Sequence, residues 1–162
     1  MEKTFWDAAH DGEVEEVKDI LMKNPSLNVN WKNEEENAWT ALHAACWGHA
    51  LVVSILLAHP DIDPNLKSKY GDTPFMWACL VGNTSSVRLL LKDSKIMVNN
   101  IYGETSLGRA AYNGYLDIIK WWIASGREMD LGKPGDISHT DAIGAAKKRP
   151  CRSGHPAGEI QE

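Results

Sequence analysis

The sequence lacks long apolar runs and paired cysteines. No stretch of about 18 apolar residues occurs, so we expect no membrane-spanning helix. Residues 1–7 also lack the apolar core of a secretory signal. Three cysteines are an odd number, which favours buried, reduced thiols over a disulfide framework. We therefore expect a cytoplasmic chain, with the nucleus as the alternative, and no membrane partner.

Residue patterns for metal binding and catalysis are also missing. The six histidines form no HExxH pattern, and no Cys-x-x-Cys pair accompanies them. His43 and Cys46 lie three residues apart, but a structural zinc site takes four ligands. No glycine-rich phosphate loop follows a strand pattern. The sequence therefore predicts no metal, no cofactor and no enzymatic activity.

Positive charge is scarce outside the last residues. The net charge is -5, from 17 basic and 22 acidic residues. Without the charged residues from position 147 onward, 13 basic and 20 acidic residues remain, a body of -7. Nucleic-acid binding depends on neutralising phosphates with basic side chains. An acidic body therefore argues against a nucleic-acid partner.

One apolar pattern occurs four times along the chain. Each copy places two small residues four and three positions before a glycine, and an apolar stripe follows that glycine. The glycines are 36, 34 and 32 residues apart, at Gly12, Gly48, Gly82 and Gly114. The stripes are Val17/Ile20/Leu21, Val53/Leu56/Leu57, Val87/Leu90/Leu91 and Ile119/Trp122/Ile123. A period of this size is typical of a solenoid, in which each unit buries its apolar face against the next.

The units resemble ankyrin repeats. The segments Thr40-Ala41-Leu42-His43, Thr73-Pro74-Phe75-Met76 and Thr105-Ser106-Leu107-Gly108 stand where that family has Thr-Pro-Leu-His, and Asn30, Asn65 and Asn99 match its closing asparagine. The resemblance implies an all-α helical-repeat solenoid of four repeats plus an incomplete fifth, in a domain of residues 1–149. The approximate repeats are 4–35, 36–67, 68–99 and 100–134, with a half repeat at 135–149 and a disordered tail at 150–162.

The second unit departs from this pattern. Thr40 and Gly48 are eight residues apart, against nine for the equivalent pair in each of the next two units. Because the small residues keep their distance to the glycine, the missing residue is predicted to lie in the first turn. One residue of helix corresponds to about 100° of rotation. We therefore expect capping by Thr40 and the turn-bridging hydrogen bonds of His43 to differ from the family.

The resemblance also implies a concave binding face, formed by turn tips and by the residues just before each glycine. It selects Trp39, Trp47, Tyr70, Asp72, Leu80, Val81, Tyr102, Glu104, Tyr112 and Asn113 as partner-binding residues. Interfaces favour Trp and Tyr, whereas folding does not require large aromatics facing a groove. The simpler alternative is that some of them cover neighbouring helices. The expected function is a non-catalytic protein–protein interaction module that acts as an adaptor, scaffold or inhibitor.

A second function remains open from the residues. The fifth unit begins at Thr140, but prolines and glycines after position 149 prevent its second helix. Ile119, Trp122 and Ile123 are therefore expected to lack a cover, unless the tail folds back over them. A truncated or alternatively processed chain would leave the same face open. The chain would then be an assembly element that self-associates weakly, or docks on a larger protein, through this end.

Overall fold

Pairs of short helices build the part of the chain that the computed structural model describes, residues 1–98 and 106–127. The helices of these residues are α1 (Glu2–Asp11), α2 (Val14–Lys23), α3 (Ala41–Ala45), α4 (Ala50–Ala58), α5 (Pro74–Val81), α6 (Thr84–Lys92), α7 (Ser106–Tyr112) and α8 (Leu116–Ser125). Their β structure is limited to one isolated bridge, between Asn33 and Trp39. The predicted all-α class is confirmed.

Local chemistry explains where the first helix of a unit begins and ends. In the third unit, the Thr73 hydroxyl accepts a hydrogen bond from the Met76 N–H at 3.3 Å, and Pro74 occupies the first turn. Both features are typical of helix starts, where the first N–H groups need acceptors. Helix α5 then ends at Gly82, whose φ of 80° lies in the left-handed region. The chain reverses there and enters α6.

The helices stack in two rows. The first helices α1, α3, α5 and α7 contact one another in order, and the second helices α2, α4, α6 and α8 do the same. One large apolar residue sits in the same position of each first helix and is at most 2% exposed; these residues are Phe5, Leu42, Phe75 and Leu107. Small residues such as Ala45 and Ala78 are fully buried between them. The core is therefore one continuous layer that runs through all four units.

Helix α8 does not expose its whole apolar stripe as the sequence predicts. Trp122 is 1% exposed, because it packs edge-on against Phe75 with ring centroids 5.2 Å apart. The expectation that Trp122 lacks a cover is therefore wrong. Ile119 is partly buried and Ile123 is 60% exposed. A stacked helix has one side toward each neighbouring unit, and Trp122 lies on the side that faces the preceding unit.

The deletion in the second unit lies at the end of α3, not in its first turn. The Thr40 hydroxyl accepts from the His43 N–H at 3.4 Å, and the His43 Nδ1 accepts from the Thr40 N–H at 3.2 Å. The other ring nitrogen, Nε2, donates to the Asp72 carbonyl at 3.0 Å. Helix α3 stops early, at Ala45, and Gly48 does not adopt the positive φ of the equivalent glycines. The expectation for Thr40 and His43 was wrong.

Asparagine side chains tie each unit to the next. The Asn30 amide donates to the Asp61 carbonyl at 2.7 Å, and its oxygen accepts from the Asp63 N–H at 2.9 Å. Asn65 makes the same two bonds one unit later, at 2.8 and 2.7 Å. Asn99, the third of the series, lies outside the described residues. The repeated asparagine is therefore a connector between units.

Part of the predicted organisation lies outside the described residues. This applies to the half repeat at 135–149 and to the tail at 150–162. The repeat boundaries stay predictions. Helix α1 begins at Glu2, two residues before the first proposed unit, and the other helices lie within the four proposed units. Among the described helices, none combines the length and the apolar character needed to cross a membrane.

Burial of His43 makes the stability of the fold depend on pH. Desolvation lowers the pKa of His43 from its ordinary 6.5 to about 4, opposed by the bond to the Asp72 carbonyl and assisted by the charge of Lys32. Between about pH 4 and pH 6.5, His43 is mostly protonated in the unfolded chain and mostly neutral in the folded chain. The stability that neutral His43 confers is therefore complete above about pH 6.5 and is lost as the pH falls toward 4.

We expect the free energy of unfolding to fall by roughly 2 kcal/mol between about pH 7.5 and about pH 5 through this group. Urea denaturation at both pH values measures the change. The control is His43→Gln, which keeps a polar side chain but removes the titration. An equal fall in the variant and the wild type would contradict the assignment to His43.

Candidate protein-binding surface

Exposed side chains stand at the ends of successive first helices. Trp47 is 56% exposed and Tyr112 is 41% exposed, and the equivalent Leu80 is partly buried between them. Side-chain amides fix this row in place. Asn83 donates to the carbonyl of Cys46, at the end of α3, at 3.1 Å, and Asn113 donates to the carbonyl of Leu80 at 3.3 Å. These residues form one row across three units.

Three tryptophans form what we call the tryptophan patch: Trp39, Trp47 and Trp77. Their ring centroids are 4.6 Å (Trp39–Trp77), 5.6 Å (Trp47–Trp77) and 6.3 Å (Trp39–Trp47) apart, and the rings are tilted. Aromatic pairs prefer this range of distances. The indole nitrogen of Trp77 is buried and lacks an acceptor among the described residues. Trp47 is the exposed member, and the other two support it from below.

Trp39 lies beneath the surface, which differs from the expectation that it binds a partner. Its side chain is 9% exposed, and its backbone carbonyl accepts a hydrogen bond from the Trp6 indole at 3.1 Å. Sequence spacing places Trp39 at a turn tip, but the rings of Trp47 and Trp77 cover it. Trp39 therefore belongs to the core of the second unit and holds the patch in place.

The turn before α5 contributes one exposed aromatic and one structural carboxylate. Tyr70 is 69% exposed. Asp72 is partly buried, and its carboxylate lies 3.9 Å from the Arg109 guanidinium while its carbonyl receives the bond from His43. Asp72 thus connects three units and is engaged within the fold.

The other predicted partner-binding residues differ in their exposure to solvent. Val81 is partly buried, and Asn113 is exposed at the end of α7. Tyr102 and Glu104 lie outside the described residues, so their place at the surface stays a prediction.

An acidic turn beside the patch is not among the predicted partner-binding residues; its sequence, Glu34-Glu35-Glu36, indicates only a solvated loop. The stretch from Asn30 to Thr40 is two residues longer than the equivalent stretch from Asn65 to Thr73. The longer stretch contains the acidic turn, the 3₁₀ segment Glu34–Glu36, and all three of its side chains are exposed. The difference between these two spacings is the sequence signal that distinguishes this turn from the turn of the next unit.

Backbone bonds hold the acidic turn against the tryptophan patch. The N–H of Trp39 donates to the carbonyl of Glu36 at 3.0 Å, and the N–H of Asn33 donates to the carbonyl of Trp39 at 2.8 Å. The N–H of Lys69 donates to the carbonyl of Asn37 at 2.8 Å, which joins this turn to the next unit. The backbone of the acidic turn is therefore fixed next to Trp39, the buried member of the patch.

The cysteines that the sequence places in the first helices are buried and free. Burial raises the pKa of both Cys46 and Cys79 well above the usual range of a thiol, with a further rise at Cys79 from its neighbour Cys46. Thiols in such an environment are poor nucleophiles. Among the described residues, no group of three His, Cys, Asp or Glu side chains is arranged to hold a metal ion.

Comparison with protein families agrees with the repeated helix pairs. A model described as "Ankyrin repeats (3 copies)" matches residues 60–132, and a single "Ankyrin repeat" model matches residues 37–69. Together the matches cover more than half of the chain. The chain belongs to the ankyrin-repeat family. The matches confirm the family that the sequence predicts, and they point to the family as a whole.

Several much longer proteins are similar to this ankyrin-repeat chain. SMC5-SMC6 complex localization factor protein 1 from Homo sapiens is 36% identical over 115 residues, which are 69% of this chain and 10% of that protein. Alpha-latrocrustotoxin-Lt1a from Latrodectus tredecimguttatus is 27% identical over 139 residues, 85% of this chain and 10% of the toxin. NF-kappa-B inhibitor alpha from Sus scrofa is 27% identical over 113 residues, 65% of this chain and 35% of the inhibitor.

The two tryptophans of the second unit, Trp39 and Trp47, should respond differently to truncation. We expect Trp39→Ala to lower the free energy of unfolding by about 3–5 kcal/mol, because it leaves a cavity in the core. Trp47→Ala should cost about 1–2 kcal/mol, because it removes ring contacts but little buried volume. Urea denaturation of both variants measures the difference. Equal losses would mean that Trp47 is as much a core residue as Trp39.

Proposed function

We propose that this chain is a non-catalytic protein-binding module, which holds a protein or peptide against the row formed by Trp47, Leu80 and Tyr112. The observation that carries the proposal is the exposure of Trp47 above two supporting tryptophans. A large aromatic side chain fixed by its neighbours binds with little loss of conformational freedom. Residues of this kind dominate the binding energy of protein interfaces.

The family supports this proposal at a general level. Ankyrin repeats generally mediate protein–protein interaction, and the family is generally non-catalytic. One similar protein is, by its name, an inhibitor of NF-kappa-B. Within the proposed class, the chain would act as an adaptor, a scaffold or an inhibitor of its partner.

The proposal is tested by affinity capture from cell extract with the wild type and a Trp47→Ala/Tyr112→Ala variant. We expect the wild type to retain a partner that the variant loses. For an isolated partner, each single substitution should weaken affinity by about 2 kcal/mol, roughly 30-fold. Mass spectrometry identifies the captured proteins, and calorimetry measures the affinities.

The matched control is Leu51→Ala/Trp121→Ala, which removes two exposed apolar side chains from the second helices, 70% and 41% exposed. Circular dichroism first checks that every variant is folded. The control should retain the same partner as the wild type. Partners retained equally by all three proteins would refute the surface assignment.

The assembly alternative has one supporting observation. Ile123 is 60% exposed and Ile119 is only partly buried on α8, so an apolar strip remains on the last described helix. If this strip drives weak self-association, the sedimentation coefficient of the wild type should rise with concentration, whereas that of Ile123→Glu should stay constant. Wild-type protein that remains monomeric from about 1 µM to about 500 µM would contradict self-association.

A further inference from the structure

Trp47 differs from two other tryptophans of the chain in what faces its ring. The Arg88 guanidinium lies 5.2 Å from the ring centroid of Trp121. The His10 ring stacks on Trp6 with centroids 5.2 Å apart and planes 13° from parallel. Among the described residues, the ring contacts of Trp47 are with the other two tryptophans of the patch. The outer face of this indole is therefore available to a partner's side chain.

The acidic turn gives this surface a charge. Glu34, Glu35 and Glu36 are exposed, and none of their carboxylates forms an ion pair with another described residue. Lys32 precedes the acidic turn, and its ammonium donates to the carbonyl of Lys67 at 2.8 Å. Lys67 and the exposed Lys69 belong to the following turn. The three exposed carboxylates give the acidic turn itself a negative charge. The net charge of the whole chain, -5, has the same sign.

The stacking of units requires neither feature. The third unit forms its turn and helix pair without a counterpart of the acidic turn, because its connection is two residues shorter. Leu80 and Tyr112 occupy the position of Trp47 in the third and fourth units, so a tryptophan is not needed to end a first helix. An exposed indole and three carboxylates therefore coincide at one place where folding demands neither of them.

We infer that the segment bound at this surface is basic, with an arginine or lysine side chain on the outer face of Trp47 and further cationic groups at the acidic turn. The inference rests on the proposed function, because it specifies the partner of the same site. Tryptophan is the best aromatic acceptor for a cation, and a guanidinium also stacks on its plane. The carboxylates of the acidic turn attract cationic groups of the same segment and speed its encounter with the site.

A random 12-residue peptide library displayed on phage tests the inference with the full chain as bait. We expect the selected peptides to contain Arg and Lys several times more often than the input library. The strongest peptide, made synthetically, should lose about tenfold in affinity with Glu34→Gln/Glu35→Gln/Glu36→Gln and about tenfold with Trp47→Ala. Its affinity should also fall as the salt concentration rises.

The control for charge is Glu15→Gln/Glu16→Gln/Asp19→Asn, which removes three exposed carboxylates from α2. It changes the net charge of the chain by the same amount. We expect it to change the peptide affinity by less than about twofold, because α2 belongs to the row of second helices and solvent screens exposed charges. An equal loss in both triple variants would overturn the role of the acidic turn.

The outcomes separate the inference from the proposed function. Peptides that depend on Trp47 but show no excess of Arg and Lys would overturn the basic partner and leave the binding surface in place. Peptides that bind the Trp47→Ala variant as tightly as the wild type would overturn the surface itself. A library that yields no binder would also overturn the inference, since basic segments are abundant in it.

Discussion

Contact between one helix pair and the next is the interaction on which the rest of this structure depends. The described helices contain five to ten residues, and helices of this length are not stable alone in water. Each gains stability because residues such as Leu42 and Phe75 are buried between neighbouring units. The role of a side chain is therefore decided by which neighbour it faces, more than by its place within its own helix.

This constraint explains how far the fold could be predicted. The repeated glycines and the Thr-Pro-Leu-His-like segments identify four helix pairs, because every unit uses the same turns and the same close packing. The placement of Trp122 could not be predicted from its stripe. The same helical spacing is found for residues that face the preceding unit and for residues that face the next unit. The structure distinguishes them: Trp122 packs against Phe75 and is buried, whereas Ile123 is exposed.

The binding surface was less predictable for a related reason. Spacing from the glycines places Trp47 correctly at an exposed helix end, but the same spacing gives Trp39 and Asp72 a surface role. The structure buries Trp39 under two indoles and joins Asp72 to Arg109 and His43. Except for the contact of Trp39 with Trp47, these contacts join residues of different units, so no local pattern reveals them. The one-residue deletion was also misplaced, since a helix can shorten at either end.

The tryptophan patch connects this stacking to recognition. Trp39 and Trp47 come from the second unit, and Trp77 comes from α5 of the third, so the patch exists only when the two units are packed together. Their mutual contacts hold the exposed indole of Trp47 in one orientation before a partner arrives, which reduces the entropy lost on binding. The same hydrogen bonds that join the units, from His43 to Asp72 and from Lys69 to Asn37, therefore keep the support of the patch in register. Loosening of this junction would weaken binding even if no residue that touches the partner changed.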